Sequence, residues 1–163
     1  MKWIAMVGAL CMCAVAGASS GDLKLVGEGR LKVLFWSVYD SSLYTADGAY
    51  NSGQHPLRLE IKYLLNIDAD DLVARTRQEW QFQNLRHPRQ QQWLDRLQAL
   101  WPDINARDVL SLQIDERHHS SFSLNGEVLG RIEDEDFSRQ FLAIWLAQET
   151  SQPDLRLALI GQR

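Results

Sequence analysis

The stretch LRLEIKYLLNIDADDLVARTRQEWQFQNLRHPRQQQWLDRLQALW, residues 57–101, decides the architecture. From 57 to 65, Leu57, Leu59, Ile61, Tyr63 and Leu65 alternate with Arg58, Glu60, Lys62 and Leu64, the period of a strand that buries one face. The period then lengthens to that of a helix. Asp68 is placed to cap, Asp71 adds negative charge at the positive end of the helix dipole, and Leu72, Thr76 and Trp80 recur on one face as far as Gln83. Pro88 suits the first turn of a second helix, whose Trp93, Leu94, Leu97, Leu100 and Trp101 form a broad apolar stripe before Pro102 ends it. Successive helices with no strand between them argue against a regular alternation of strand and helix.

Working outward, residues 23–44 are rich in Leu, Val, Phe, Trp and Tyr and are interrupted at Gly27-Glu28-Gly29, which predicts two strands joined or bent at the glycines. Residues 46–56 read as a polar loop. On the other side, residues 109–115 return to alternation through Leu110, Leu112 and Ile114. Residues 121–124 and 127–132 flank Asn125-Gly126, whose tolerance of positive φ predicts a tight hairpin. Asp134 then caps a helix carrying Phe137, Phe141, Ile144 and Trp145, and a short last helix is expected over 153–160, closed by Gly161. Strands cluster and helices cluster. The fold class is α+β: a large antiparallel β-sheet with a layer of helices on one face.

The ends and the composition set the context. Lys2, the apolar run from Trp3 to Ala16 and the small residues Ala16-Gly17-Ala18 predict a secretory signal peptide over residues 1–18, followed by one domain over 19–163. The run is shorter than the roughly 20 residues of a spanning helix, so no stable transmembrane anchor is expected after cleavage. The expected localisation is exported, in the periplasm. Cys11 and Cys13 both fall in the signal and neither follows a lipobox, so the domain has no cysteine and must hold together by its core. Its 16 basic and 21 acidic residues give a net charge of −5, which argues against nucleic acid as a partner. There is no repeat, linker or charge block to mark a second domain.

Several pieces in order resemble the bacterial chalcone isomerase-like proteins: Gly29-Arg30, the run Leu34-Phe35-Trp36-Ser37-Val38-Tyr39-Asp40-Ser41-Ser42-Leu43-Tyr44, and Leu59-Glu60-Ile61-Lys62-Tyr63. The hairpin Phe122 to Gly130 and Phe141-Leu142-Ala143-Ile144-Trp145-Leu146 complete the series. The resemblance implies the chalcone isomerase fold, with a ligand cleft between sheet and helices. Members of that superfamily cyclise chalcones, bind fatty acids or have no assigned reaction. It also implies a ligand set. Arg30 is the counterpart of a cleft arginine, Leu43-Tyr44 resembles a Val-Tyr pair, and Tyr39 stands where the family has Thr. The interval from Arg30 to Tyr44 is two residues shorter than the family's. Where the enzymes carry catalytic Tyr, Lys and Asn on later helices, this chain has Arg75, Arg77, Glu79 and Trp80, so no catalytic residue is assigned.

The residue types suit two chemistries. A guanidinium binds a carboxylate bidentately while tyrosine adds a hydrogen bond, and the tail of an amphipathic ligand lies along apolar residues. Arg30, Tyr39 and Tyr44 serve equally as the cation and donors that an enone cyclisation needs at its phenolate and enolate oxygens. The expected function is binding of a small amphipathic molecule such as a fatty acid. The alternatives are an isomerase (intramolecular lyase) acting on a chalcone-like enone, and an envelope interaction module whose cleft its own side chains fill. No cofactor and no metal site is expected. His118-His119 reads as a solvated turn, since adjacent strand residues face opposite ways, and Asp134, Glu135 and Asp136 read as dipole-favoured acids at a helix start. Trp36, Trp80, Trp93, Trp101 and Trp145 read as core packing, with one or two available to wall a cleft.

Overall fold

The computed structural model describes residues 22–163; the expected signal peptide and the boundary at residue 18 lie outside the described residues. The order of elements is β1 (Lys24–Val33), β2 (Trp36–Thr45), β3 (Leu57–Tyr63), α1 (Ala69–Phe82), α2 (Gln90–Leu100), β4 (Val109–Ile114), β5 (Ser120–Leu124), β6 (Glu127–Ile132), α3 (Glu135–Leu146) and α4 (Pro153–Leu159). The strands form one six-stranded sheet in the order of the chain, every neighbouring pair antiparallel. The helices gather on one face, as the clustering of elements predicted.

Period-two alternation sets which side chains face the helices. The register pairs Leu43 with Leu59, Leu59 with Leu112 and Leu112 with Phe122, and all four are buried. The alternate residues, Arg30, Asp40, Arg58, Glu60 and Lys62, carry the charge on the opposite side. A one-residue slip would exchange the two sets, so burial of one face locks the register.

The helices cover the sheet with their apolar stripes. α1 buries Leu72, Val73, Thr76, Glu79 and Trp80, α2 buries Trp93, Leu94 and Leu97, and α3 buries Phe137, Phe141, Ile144 and Trp145. Asp68 precedes α1, but its side chain makes no capping bond. The Asp103 carboxylate takes over part of that work by accepting from the Ala69 backbone N–H at 2.9 Å. Asp134 caps α3 as expected, accepting from the Asp136 N–H at 3.1 Å. It also accepts from Trp93 Nε1 at 2.9 Å and pairs with Arg89 at 2.7 Å. Burial alone would raise its pKa, but these bonds hold it below the usual carboxylate range.

Two expectations are corrected. The first strands join at Leu34-Phe35 and not at the glycines; β1 continues through Gly27 and Gly29, with a bulge between Leu25 and Gly27 as the bend expected there. The glycines serve packing instead: a Cβ on Gly27 would collide with the Ala158 carbonyl, and one on Gly29 would lie 2.8 Å from Leu155 Cδ1, so their absence lets α4 lie against β1. Trp36 belongs to no core. It stands at the tip of the β1–β2 hairpin, 67% exposed, whereas Trp80, Trp93, Trp101 and Trp145 are buried.

Candidate functional site

A cavity of about 410 Å³ lies between the sheet and the helices. Its floor includes Leu59, Ile61, Leu110 and Leu112, and Leu72 and Ile144 face them from α1 and α3. Trp101, Phe122, Phe141 and Trp145 form an aromatic wall in which Phe141 lies 5.5 Å from Phe122 and 5.4 Å from Trp145, centroid to centroid. The chain's own side chains leave this space unfilled. The reason is legible in α1, which turns Ala74, Arg75, Thr76, Gln78 and Glu79 toward it, side chains that are too small or too polar to fill an apolar gap.

The polar groups of the cavity are few and adjacent. Tyr39 and Tyr63 are register partners on β2 and β3, their rings edge to face at 5.7 Å. Trp145 Nε1 donates to the Tyr39 hydroxyl at 3.0 Å, which leaves the hydroxyl hydrogen free for another acceptor. Among the described residues the Tyr63 hydroxyl has no hydrogen-bond partner. Burial pushes Tyr39 up to about 12, helped by the nearby Glu79, and raises Tyr63 as well, so both stay protonated donors at neutral pH. From α1, Arg75 Nη2 lies 2.5 Å from Glu79 Oε1, and Ser151 donates to Glu79 Oε2 at 2.7 Å. Glu79 is buried, while Arg75, one turn earlier on the same helix, is exposed beside Gln78. The site is thus an apolar hollow with two phenol donors, a buried carboxylate and an exposed guanidinium.

Of the three residues expected to meet a ligand, Tyr39 lines this cavity and Arg30 and Tyr44 do not. Leu31, not Arg30, is the register partner of Tyr39, and the pleat sends Arg30 to the far face, where it pairs with Asp40 through Nε at 2.5 Å and Nη2 at 2.8 Å. Tyr44 lies five residues from Tyr39 on one strand and so faces away from it, its ring under the Arg58 guanidinium at 4.5 Å. The missed residues are Arg75, Glu79 and Tyr63. Glu79 carried a signal: it follows Leu72 by seven residues and so falls on the buried stripe that Leu72, Thr76 and Trp80 define, with an arginine four residues before it.

A second cleft, of about 430 Å³, opens between the 46–56 loop and α3. His55 and His118 stand edge to face in it at 4.2 Å, and burial holds His55 below its usual pKa. His118 has a φ of 63° in the turn that precedes β5. Among the described residues no three metal-ligating side chains come together.

Comparison with known proteins agrees with this geometry. A family model described as chalcone isomerase-like matches residues 12–161. An uncharacterized protein of Haemophilus influenzae is 30% identical over 126 residues, covering 77% of this chain. The match spans 61% of that relative's length. A crystal structure of a fatty-acid binding protein from Arabidopsis thaliana superimposes with a TM-score of 0.66 over 89% of this chain and 90% of that one. At 15% identity that likeness is one of fold.

Proposed function

The chain belongs to the chalcone isomerase-like family, and from that premise we propose that it binds a small amphipathic molecule, a fatty acid or related carboxylate, in the cavity between sheet and helices. The observation that carries this reading is the cavity of about 410 Å³, apolar along the sheet and the aromatic wall, with its polar side chains gathered on α1 (Asp71, Arg75, Thr76, Gln78 and Glu79), at Tyr39 and Tyr63, and at Gln152. That volume falls in the range of small-molecule sites, roughly 300–1,000 Å³. The tail lies on Leu59, Ile61 and the aromatic wall. The head accepts from the tyrosine hydroxyls and from the exposed edge of Arg75, whose guanidinium has five N–H donors and spends only part of them on Glu79. Glu79 limits the geometry, since a second carboxylate must keep the guanidinium between itself and Glu79. The Arabidopsis protein of like fold, named for fatty-acid binding, supports the ligand class.

Mass spectrometry of a solvent extract of the purified protein, together with Trp emission during titration with palmitate, tests the reading. A co-purifying amphipath and a saturable emission change are expected, because Trp101 and Trp145 wall the cavity. Arg75→Gln should weaken palmitate about tenfold or more while leaving its methyl ester little changed. Absence of both lipid and saturable response sinks the proposal. The Tyr39 hydroxyl also suits an enolate oxygen, so chalcone is the second ligand to try: loss of its visible absorbance at an enzyme-dependent rate moves the function to the isomerase branch.

Export is proposed on the charge and small-residue pattern of residues 1–18. Amino-terminal sequencing of protein recovered from a periplasmic extract should begin at Ser19; a chain that stays in the cytosol with its first residues intact refutes it.

A further inference from the structure

The two tight hairpins differ in a way that points to a partner. β5 and β6 turn through Asn125-Gly126, residues that take their φ values of 50° and 86° at little strain. β1 and β2 turn through Leu34-Phe35, and Leu34 sits at φ 55°, in the left-handed region that a leucine rarely enters. The unsuitable residues are also the most exposed apolar ones: Leu34 is 87% and Phe35 97% exposed, with Val33 at 49% and Trp36 at 67% beside them. The other exposed large apolar side chains, Leu25, Phe82 and Val128, are scattered through the sequence. Four consecutive apolar residues are thus held out at the end of a strand ribbon, at the expense of turn geometry. Val33 is shared: it belongs to this tip and also lines the cavity.

We propose that the tip Val33-Leu34-Phe35-Trp36 docks the protein on a lipid bilayer, at the entrance through which an amphipathic ligand passes between bilayer and cavity. A bilayer fits better than a protein partner for reasons of size and chemistry. Four residues fall far short of the roughly 20–30 a side of a stable protein interface, but a fluid apolar medium accepts a small convex tip of any shape. A hairpin satisfies its own backbone across the ribbon, so it can enter the interfacial layer without unpaired backbone groups. Trp and Phe are the side chains that settle at that depth, and Lys32 lies exposed just behind them to meet lipid phosphates. The chain's net charge of −4 rules out recruitment by bulk electrostatics, so binding rests on apolar insertion and depends weakly on salt. Docking stands on the tip alone, whereas the entrance role rests on the ligand-binding reading above.

The test is co-sedimentation of the protein beginning at Ser19 with vesicles of phosphatidylethanolamine and phosphatidylglycerol, read with Trp emission, for the wild type and for a double variant Leu34→Asn, Phe35→Gly. The variant gives β1–β2 the turn residues of β5–β6, so it preserves the hairpin. The wild type should sediment with vesicles and shift its emission to the blue, and the variant should lose at least about tenfold in partitioning. Palmitate delivered from solution should bind both equally, while transfer of palmitate out of vesicles should slow in the variant. Wild-type protein that ignores vesicles, or a variant that binds them as well as the wild type, overturns docking. A concentration-dependent dimer that the variant abolishes, without vesicle binding, overturns it in favour of a second copy. Vesicle binding with no palmitate bound by either protein keeps docking and removes the cavity reading.

Discussion

The aromatic end of the helix layer and the end under α1 share one sheet, yet one is solid and the other hollow. At the aromatic end α2 and α3 both contribute large rings: Trp93 lies 5.8 Å from Phe137 and stacks on His87 at 4.6 Å, and none of these rings lines the cavity. Under α1 the sheet offers the same kind of floor, Leu59, Ile61 and Tyr63, but the helix answers with Ala74, Arg75 and Glu79. Whether a sheet-and-helix sandwich closes is therefore decided by what the helix presents. One side of the contact can be fully apolar and still leave a cavity when the other supplies short or charged side chains.

Truncation at the two ends is the strongest way to break that contrast. Phe137→Ala removes a ring with no exposure, packed among Trp93, Phe122 and Phe141, and should cost about 3–5 kcal/mol in urea unfolding, whereas Leu72→Ala only widens a space already present and should cost nearer 2 kcal/mol. Equal losses would mean the cavity wall is as tightly packed as the rest. Enlargement gives the converse. Leu97→Phe, at a site with no exposure, should cost about 1–3 kcal/mol, while Ile144→Phe should cost under about 1 kcal/mol because the cavity accepts the ring. The same Ile144→Phe change should abolish palmitate binding, and retention of full affinity would place the ligand elsewhere.

Acid behaviour sharpens the contrast at the solid end, where Asp134 ties α2 to α3. Asp134→Asn should lose about 1–2 kcal/mol at neutral pH. The folded-state pKa of Asp134 lies below its unfolded value of about 3.9, so its contribution is present above that value and disappears as pH falls through the folded one. Wild type and variant should accordingly converge in stability in strong acid; a gap that persists there would mean packing, not charge, is responsible. The smallest effect belongs to the far face of the sheet. Arg30 and Asp40 hold each other in their charged forms but are both well exposed, so Arg30→Ala should leave the urea midpoint nearly unchanged and palmitate affinity alone. Loss of binding in that variant would bring Arg30 back into the site.

Much of this architecture was readable beforehand because its signals are local and redundant. Leu57 to Tyr63, Asn125-Gly126 and Asp134 each combine a period with a turn or a cap, and each became the element expected. The β1–β2 turn is not legible in the sequence because it uses none of the usual turn residues: Leu34 and Phe35 look like strand interior, so pattern alone puts the turn at the nearby glycines and Trp36 in the core. The site was half legible. Tyr39 and Tyr44 stand five apart on one strand, an odd spacing that already puts them on opposite faces, and Glu79 on a buried stripe already asked for a partner.

What residue order settled, with no help from the fold, is which segments are strands, which are helices and which face of each avoids water, because those follow from backbone geometry and the spacing of apolar side chains. Tertiary structure alone decided that Arg75, Glu79, Tyr39 and Tyr63 share a hollow from which Arg30 is excluded. That outcome depends on register between strands and on the gap left when α1 settles over β2 and β3. Both are properties of two surfaces meeting, and neither is written in the spacing of either one.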